Sequence, residues 1–143
     1  MPIKIILHSD GAAKGNPGPA GVGVALYHSG ESEPFATFAE YIGETTNNVA
    51  EYRGLLLGLH EALLRGADEI EARTDSELMA RQIEGRYQVK SPDLITLYEE
   101  AKRLLSRFDQ AKIVHIPRAQ NSLADKLANQ GVAARPKAIP KSG

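Results

Sequence analysis

The sequence predicts an α/β domain with a mixed five-stranded sheet, the element order βββαβααβα and helices on both faces of the sheet. Two observations indicate this class. Three apolar segments near the N-terminus are joined by short connections, which favours an antiparallel meander. Two later apolar segments each follow a stretch with helical periodicity, which favours crossover connections and parallel strands. A chain of 143 residues is long enough for one domain with one core.

The first three strands are predicted at residues 3–9, 21–28 and 34–42. Each range is apolar and is bounded by Gly, Pro or polar turn residues. In this prediction Asp10 lies at the end of the first strand.

The first helix is predicted from about Asn48 to Arg65. A polar run of Thr and Asn residues precedes it and Gly66 follows it, and these are the residue types that begin and end helices. A fourth strand is expected almost at once, at residues 69–74.

Two helices are expected next, at residues 76–85 and 92–107, the second with Pro92 in its first turn. A fifth strand is predicted at residues 112–116 and a final helix at residues 122–134. The last helix is predicted because Leu, Ala and Val recur there at helical spacing.

Residues 1–134 are therefore assigned to one domain, and residues 135–143, which have no periodicity, to a flexible tail. No stretch has the length and hydrophobicity of a signal peptide or a membrane span. We expect a cytoplasmic protein without a membrane partner.

The amino-acid composition limits the kinds of catalytic and metal-binding site that the chain can contain. The chain has no Cys, which excludes disulfides, a thiol nucleophile and a cysteine zinc site. Its net charge is only −1, but residues 1–78 hold 5 Lys and Arg against 12 Asp and Glu, whereas residues 79–143 hold 12 against 6. This asymmetry is either a functional separation of acid and base or chance surface composition.

Two acidic residues follow apolar strands. Asp10 comes after the first predicted strand and Asp75 after the fourth. In open α/β sheets, ligands gather at the carboxyl ends of strands near a switch in strand order. Taken singly, Asp10 is equally explained as a turn former and Asp75 as a helix N-cap.

Two more acidic residues, Glu51 and Asp125, belong to predicted helices. Glu51 shares a helix face with Gly54, Leu55, Gly58 and Ala62. The two glycines each cost about 1 kcal/mol relative to Ala, so close approach of this helix to the sheet is expected to compensate. Glu51 would be carried in with that face, unless it is a surface residue.

Asp125 lies in the first turns of the last helix among Leu and Ala residues. Alone, it is explained by the helix dipole. Together, however, four acids converging on one point could not all remain ionised without cations. Oxygen ligands without Cys favour Mg²⁺ or Mn²⁺, and two such ions serve phosphodiester chemistry.

Four sequence blocks carry a specific resemblance. They are Asp10-Gly11-Ala12-Ala13-Lys14-Gly15-Asn16-Pro17-Gly18-Pro19-Ala20-Gly21, Thr45-Thr46-Asn47-Asn48-Val49-Ala50-Glu51, Thr74-Asp75-Ser76 and Asn121-Ser122-Leu123-Ala124-Asp125-Lys126-Leu127-Ala128. In this order and spacing they resemble the type 1 ribonuclease H family over residues 3–134. The resemblance implies the ribonuclease H fold and a metal-dependent endonuclease that cuts the RNA strand of RNA–DNA hybrids.

The resemblance also implies roles for individual residues. Two divalent ions, Mg²⁺ or Mn²⁺, would be held by four catalytic ligands, namely Asp10, Glu51, Asp75 and Asp125. The minor groove of the hybrid, where 2′-hydroxyls mark the RNA strand, would lie along four residues, namely Gly11, Asn16, Asn47 and Asn48. Thr46 would hold a phosphate of the DNA strand. As an alternative, these polar segments only form turns and caps.

The sequence departs from the family pattern in two places. Some members carry a Lys- and Trp-rich protrusion between the third and fourth acids, but this chain has no Trp and resembles the shorter bacterial and archaeal members. We expect Arg86 and Lys90 to carry weak hybrid binding instead. The mobile His beside the fourth acid is also missing, and in the equivalent loop Arg118 is the candidate for its role, with Asn121 as a further substrate contact.

Three functional hypotheses remain at this point. The first is a hybrid-cutting monomer whose products carry 5′-phosphate and 3′-hydroxyl ends, with no obligatory protein partner. The second is a related nuclease of the same fold that acts on DNA alone, against which the asparagines argue. The third is a module that binds hybrids without cutting, against which the four intact acids argue.

Overall fold

The computed structural model describes residues 1–136, and the last seven residues of the predicted tail lie outside this range. The element order is βββαβααβα, as predicted. The strands are β1 Lys4–Ala13, β2 Gly18–His28, β3 Ala36–Thr45, β4 Glu69–Thr74 and β5 Gln110–His115. The helices are α1 Asn47–Leu64, α2 Glu77–Ile83, α3 Pro92–Leu105 and α4 Ser122–Ala133, with a 3₁₀ turn at Arg118–Gln120 before α4.

The five strands form one mixed sheet in the order β3-β2-β1-β4-β5. The meander β1-β2-β3 is antiparallel, β4 is parallel to β1, and β5 is parallel to β4. The central strand β1 therefore borders the antiparallel part on one side and the parallel part on the other. This is the predicted fold class.

The first strand is longer than predicted. It does not end before Asp10, because Asp10 to Ala13 continue the ladder with Gly23 to Ala20 of β2. Asp10 is thus held inside a strand, which fixes its backbone more firmly than a strand end would. The third strand is also displaced from the predicted 34–42 and runs to Thr45.

Helices cover both faces of the sheet. On one face, α1 packs so closely on β1 that a Cβ at Gly54 would lie 2.6 Å from the carbonyl oxygen of Asp10. On the other face, α4 packs on β2, where Gly21 and Gly23 face its backbone. The buried core between the sheet, α1 and α3 is apolar. Within residues 1–136 no helix has the length and hydrophobicity to cross a membrane.

Side chains from the second and third of the four sequence blocks cap the helices α1 and α2. The Thr46 hydroxyl accepts a hydrogen bond from the Val49 amide at the start of α1. The Ser76 hydroxyl does the same for Met79 at the start of α2. Ser76, rather than Asp75, is therefore the N-cap, which leaves the Asp75 carboxylate without a capping role.

Candidate active site

A pocket of about 440 Å³ opens where the second half of β1, the end of β4 and the starts of α1 and α4 meet. Its lining is strongly polar and includes all four predicted acids. The lining residues are Asp10, Gly11, Ala12, Ala13, Lys14, Asn47, Asn48, Glu51, Asp75, Ser76, Arg118, Asp125 and Asn129.

Three of the acids form a tight group. Each of Asp10, Glu51 and Asp75 offers a carboxylate oxygen, and these oxygens lie within 4.8 Å of one another. Asp10 and Glu51 are buried. The backbone amide of Gly11 donates to Glu51 Oε1 at 2.6 Å, so β1 orients the glutamate as well as carrying the aspartate.

The close fit of α1 on β1 explains how Glu51 reaches this group. Gly11 has no side chain to separate the strand from the helix, and a Cβ there would overlap the backbone at Ala50. Gly54, about one turn after Glu51, allows the same approach from the helix side. The close approach of α1 to the sheet, which was predicted to compensate for glycines inside the helix, is therefore present.

The fourth acid lies at the edge of the group. Asp125 is in the first turn of α4, lines the same pocket and is about a third exposed, but it is outside the set of oxygens within 4.8 Å. Arg118 lies beside it, with 3.9 Å between Arg118 Nη2 and Asp125 Oδ1. Asp125 therefore shares the pocket with the three-acid group while remaining in contact with solvent.

Burial and mutual repulsion make Asp10 and Glu51 harder to ionise. Burial is the largest cause, and together with the negative charges of Asp75 and Asp125 it raises the pKa of Asp10 to about 7. Burial and the adjacent Asp10 raise the pKa of Glu51 well above its usual value. A site with buried, closely spaced carboxyl groups favours the binding of protons or metal cations, which balance the negative charge.

The donor set fits a hard divalent cation. Asp10, Glu51 and Asp75 supply only carboxylate oxygens, which Mg²⁺ and Mn²⁺ prefer. Within the described part of the chain, none of these three forms an ion pair with a basic side chain, so their charge is left uncompensated by the protein. The geometry can thus hold metal at the point where the sequence predicted it.

Comparison with known proteins identifies the family. A family model described as "Reverse transcriptase-like" matches residues 8–131. The bifunctional protein Rv2228c of Mycobacterium tuberculosis is 44% identical over 132 residues, which cover 92% of this chain and 36% of that protein. Ribonuclease H of Marinobacter nauticus is 33% identical, with 92% of this chain and 96% of that protein covered. The chain belongs to the type 1 ribonuclease H family.

Solved structures agree with this membership of the ribonuclease H family. The N-terminal RNase H domain of Rv2228c, solved as a fusion protein, superimposes with a TM-score of 0.89 over 92% of this chain and 95% of that one. LC11-RNase H1, solved in complex with an RNA/DNA hybrid, is 40% identical and gives a TM-score of 0.84 over 90% of this chain and 96% of that one. The chain matches only 36% of the length of Rv2228c itself.

Three of the asparagines expected to contact substrate, namely Asn16, Asn47 and Asn48, lie in two segments that hydrogen-bond to each other. Asn16 Oδ1 accepts from the Asn47 amide and Asn47 Oδ1 accepts from the Ala13 amide, both at 3.1 Å. These bonds fasten the glycine-rich loop to the start of α1. Asn47 and Asn48 line the pocket. Thr46 lies outside the pocket lining, and its hydroxyl is engaged as the helix cap.

Arg118 and Asn121 have different environments. The Arg118 side chain lines the pocket and is 83% exposed, so it is accessible to a ligand. Asn121 is 0% exposed, and its amide donates to the backbone oxygen of Ser9 at 3.0 Å. The expected substrate contact by Asn121 is therefore wrong for this conformation. The sequence prediction assigned Asn121 to substrate, whereas in the structure its side chain joins β1 to the start of α4.

Arg86 and Lys90 do not line the acidic pocket. Both are exposed in the connection between α2 and α3, and Arg86 Nη1 is 3.8 Å from Glu84 Oε2. The structure leaves them available as a separate basic surface, at a different place from the acids.

The sequence prediction missed three polar residues of the pocket lining, namely Lys14, Ser76 and Asn129. Lys14 belongs to the glycine-rich block, and Asn129 lies one helical turn after Asp125. The helical spacing of Asp125 and Asn129 is a signal that could have placed Asn129 on the same face. No local pattern indicates that Lys14 would reach Asn129 from 115 residues away.

Proposed function

We propose that this chain is an endonuclease that hydrolyses the RNA strand of RNA–DNA hybrids with two divalent ions, Mg²⁺ or Mn²⁺, and leaves 5′-phosphate and 3′-hydroxyl ends. The observation that carries the proposal is the group formed by Asp10, Glu51 and Asp75, whose carboxylate oxygens lie within 4.8 Å in an open pocket. The hybrid-bound structure of LC11-RNase H1, 40% identical, supports the substrate class.

Four side chains would hold the ions, namely Asp10, Glu51, Asp75 and Asp125. When bound, such ions supply an activated water and stabilise the leaving oxygen of a phosphodiester. The protein itself sets the positions. Pairing of β1 with β2 fixes Asp10, and the Gly11 amide fixes Glu51. The more exposed Asp125 leaves one side of the site open to substrate.

Selection of the RNA strand would come from the polar edge of the pocket. Asn16, Asn47 and Asn48, with the backbone at Gly11, would contact 2′-hydroxyls in the minor groove of the hybrid. The hydrogen bonds that link Asn16, Asn47 and Ala13 support this role, because they hold the edge in place before substrate arrives. Thr46 would contact a DNA-strand phosphate at the start of α1, and Arg118 would lie beside Asp125.

A monomer would be sufficient for this activity. All four acids come from one chain and line one pocket. The proposal therefore requires no residue from a second copy.

A cleavage assay separates this function from its two rivals. Labelled RNA–DNA hybrid, double-stranded DNA and double-stranded RNA are incubated with the protein in Mg²⁺, Mn²⁺ or EDTA. We expect cleavage of the hybrid that needs metal and is abolished in Asp75→Asn. Cleavage of double-stranded DNA alone would favour the DNA-directed nuclease, and metal-dependent binding without cleavage would favour the binding module. Products with a cyclic phosphate would overturn the two-ion mechanism.

A further inference from the structure

A lysine from the glycine-rich loop reaches across the pocket to α4. Lys14 Nζ lies 3.0 Å from Asn129 Oδ1. The backbone of Lys14 is fixed, because its amide donates to the Pro19 oxygen at 2.8 Å across the turn between β1 and β2. Both residues line the same pocket as the four acids. The loop and the helix are thus joined at the site by side chains far apart in sequence.

The orientation of Asn129 makes it a ready acceptor for a cation. Its amide nitrogen donates to the backbone oxygen of Asp125 at 2.9 Å, and the side-chain carbonyl oxygen only accepts. That oxygen is the atom presented to Lys14. Asn129 is half-buried on α4, so this acceptor is held by the helix rather than by a mobile loop.

The charge of Lys14 is left uncompensated. An ammonium group has three donors, and Asn129 uses one. Among residues 1–136, no Asp or Glu lies within ion-pair distance of Lys14. Asn129 is neutral, so it positions the ammonium without cancelling its charge. The remaining donors are available to an anion that enters the pocket.

We propose that Lys14, positioned by Asn129, binds a phosphate oxygen of the strand that is cut. The inference rests on the proposed function, since it assigns a further contact at that same site. Placement beside the acids favours the cleaved strand, because Lys14 and the acids line one pocket. The alternative is that Lys14 only braces the loop against α4 through its hydrogen bond.

Charge and hydrogen bonding can be separated by substitution. Lys14→Gln removes the charge but retains an amide donor for Asn129, whereas Lys14→Arg retains the charge. Asn129→Ala removes the acceptor that positions the ammonium. Lys126→Ala is the matched control, because Lys126 is an exposed lysine on α4 that does not line the pocket.

Binding is measured by fluorescence anisotropy of a labelled hybrid with Mg²⁺ over a salt series, with each substitution placed in an Asp10→Asn protein to prevent cleavage. We expect Lys14→Gln and Lys14→Ala to weaken binding about tenfold and to reduce the slope of log K against log salt by roughly 0.9, the value for one phosphate neutralised by a basic side chain. Lys14→Arg should bind within about threefold of the parent. Asn129→Ala should weaken binding by less than removal of the lysine does, and Lys126→Ala should change neither affinity nor slope.

The outcomes distinguish this inference from the function on which it rests. Cleavage of hybrid by the wild-type chain, together with unchanged affinity and salt slope in Lys14→Gln and Lys14→Ala, would overturn the phosphate contact alone. If Lys14→Gln binds as well as the parent while Lys14→Ala binds weakly, Lys14 only holds the loop against α4 through its hydrogen bond. That result would also overturn the phosphate contact. Failure of the wild-type chain to cut hybrid would instead overturn the proposed function.

Discussion

Asp10 is held in the folded chain under conditions that oppose its ionisation. Its pKa is raised from an ordinary 3.8 to about 7, mainly by burial. Between these two values the carboxyl group of the unfolded chain has already released its proton, while that of the folded chain keeps it. The folded state therefore binds more protons, and the free energy of unfolding falls as pH rises from about 4 to about 7.

We predict that Asp10→Asn stabilises the metal-free protein, and more so at pH 8 than at pH 5. The amide has nearly the same shape but never has to ionise, so the gain at pH 8 should be about 2–4 kcal/mol. Thermal or urea unfolding in EDTA at both pH values measures it. Adding Mg²⁺ at pH 8 should stabilise the wild type more than the variant. Equal stability of the two proteins at pH 8 in EDTA would contradict the burial of an ionisable Asp10.

Asn121, unlike Asp10, is expected to stabilise the folded state. We predict that Asn121→Ala destabilises the fold by about 1–3 kcal/mol, because the backbone oxygen of Ser9 is left without its buried donor. The substitution also removes Asn121 Oδ1, which is buried without a hydrogen-bond partner, and this offsets part of the cost. Urea unfolding at a fixed pH measures the difference, with Gln130→Ala on the exposed side of α4 as the control. Unchanged stability would mean that Asn121 does not connect β1 to α4.

Individual acidic residues were easier to predict from the sequence than their surroundings. Asp10, Glu51, Asp75 and Asp125 were indicated because each lies beside apolar residues near an element boundary, and all four line the pocket. Asn121 was misplaced because burial of a polar side chain depends on a partner distant in sequence, here Ser9. The same reason hid the contact between the Lys14 and Asn129 side chains.

The packing of α1 on β1 allows a prediction at the scale of elements. A Cβ at Gly54 would meet the backbone oxygen of Asp10, whereas a Cβ at Gly58 would overlap only the side chain of Leu7. Backbone yields less readily than a side-chain end. We predict that Gly54→Ala destabilises the protein by more than about 1 kcal/mol beyond Gly58→Ala, although both gain about 1 kcal/mol of helix propensity.

Gly54→Ala should also lower hybrid cleavage at least tenfold, because it displaces Asp10 relative to Glu51. Urea unfolding and initial cleavage rates of both variants test this, with the exposed Arg53→Ala on the same helix as control. Equal effects of the two glycine substitutions, or a stable and fully active Gly54→Ala, would show that close approach at Gly54 is not required.

Element order and type were predictable, and so were both ends of β4, but the end of β1 and both ends of β3 were not. Apolar segments indicated each strand, while Gly11 to Ala13 carry too little hydrophobic signal to predict that β1 continues. Their strand conformation comes from pairing with Ala20 to Val22 across the turn. Such pairing is a tertiary interaction, which local sequence patterns do not contain.

Acidic and basic surfaces are separated in the whole molecule. Four acids line the pocket, while Arg86 and Lys90 lie in the exposed connection between α2 and α3. We predict that an Arg86→Ala/Lys90→Ala double variant raises KM for hybrid and flattens its salt dependence, by up to about 0.9 in slope for each phosphate that is no longer neutralised. Its kcat should change little, since neither residue lines the pocket.

A KM series across salt concentrations measures this, and Arg107→Ala is the control because Arg107 is exposed after α3, beyond that connection. If the double variant matches the wild type at every salt concentration, the basic half of the chain does not bind the hybrid. The charge asymmetry of the sequence would then be only a property of its solvated surface.

Strand choice by the whole molecule depends, in the proposed function, on ribose in the strand that is cut. A decisive substrate is a duplex with a different label on each strand, in which one strand is DNA and the other is 2′-O-methyl RNA with an internal block of four ribonucleotides. With Mg²⁺, we predict cuts only within that block, an intact DNA strand, and no cuts with Asp75→Asn. Cuts in the DNA strand or at 2′-O-methyl positions, or cleavage that survives in Asp75→Asn, would contradict the proposed function.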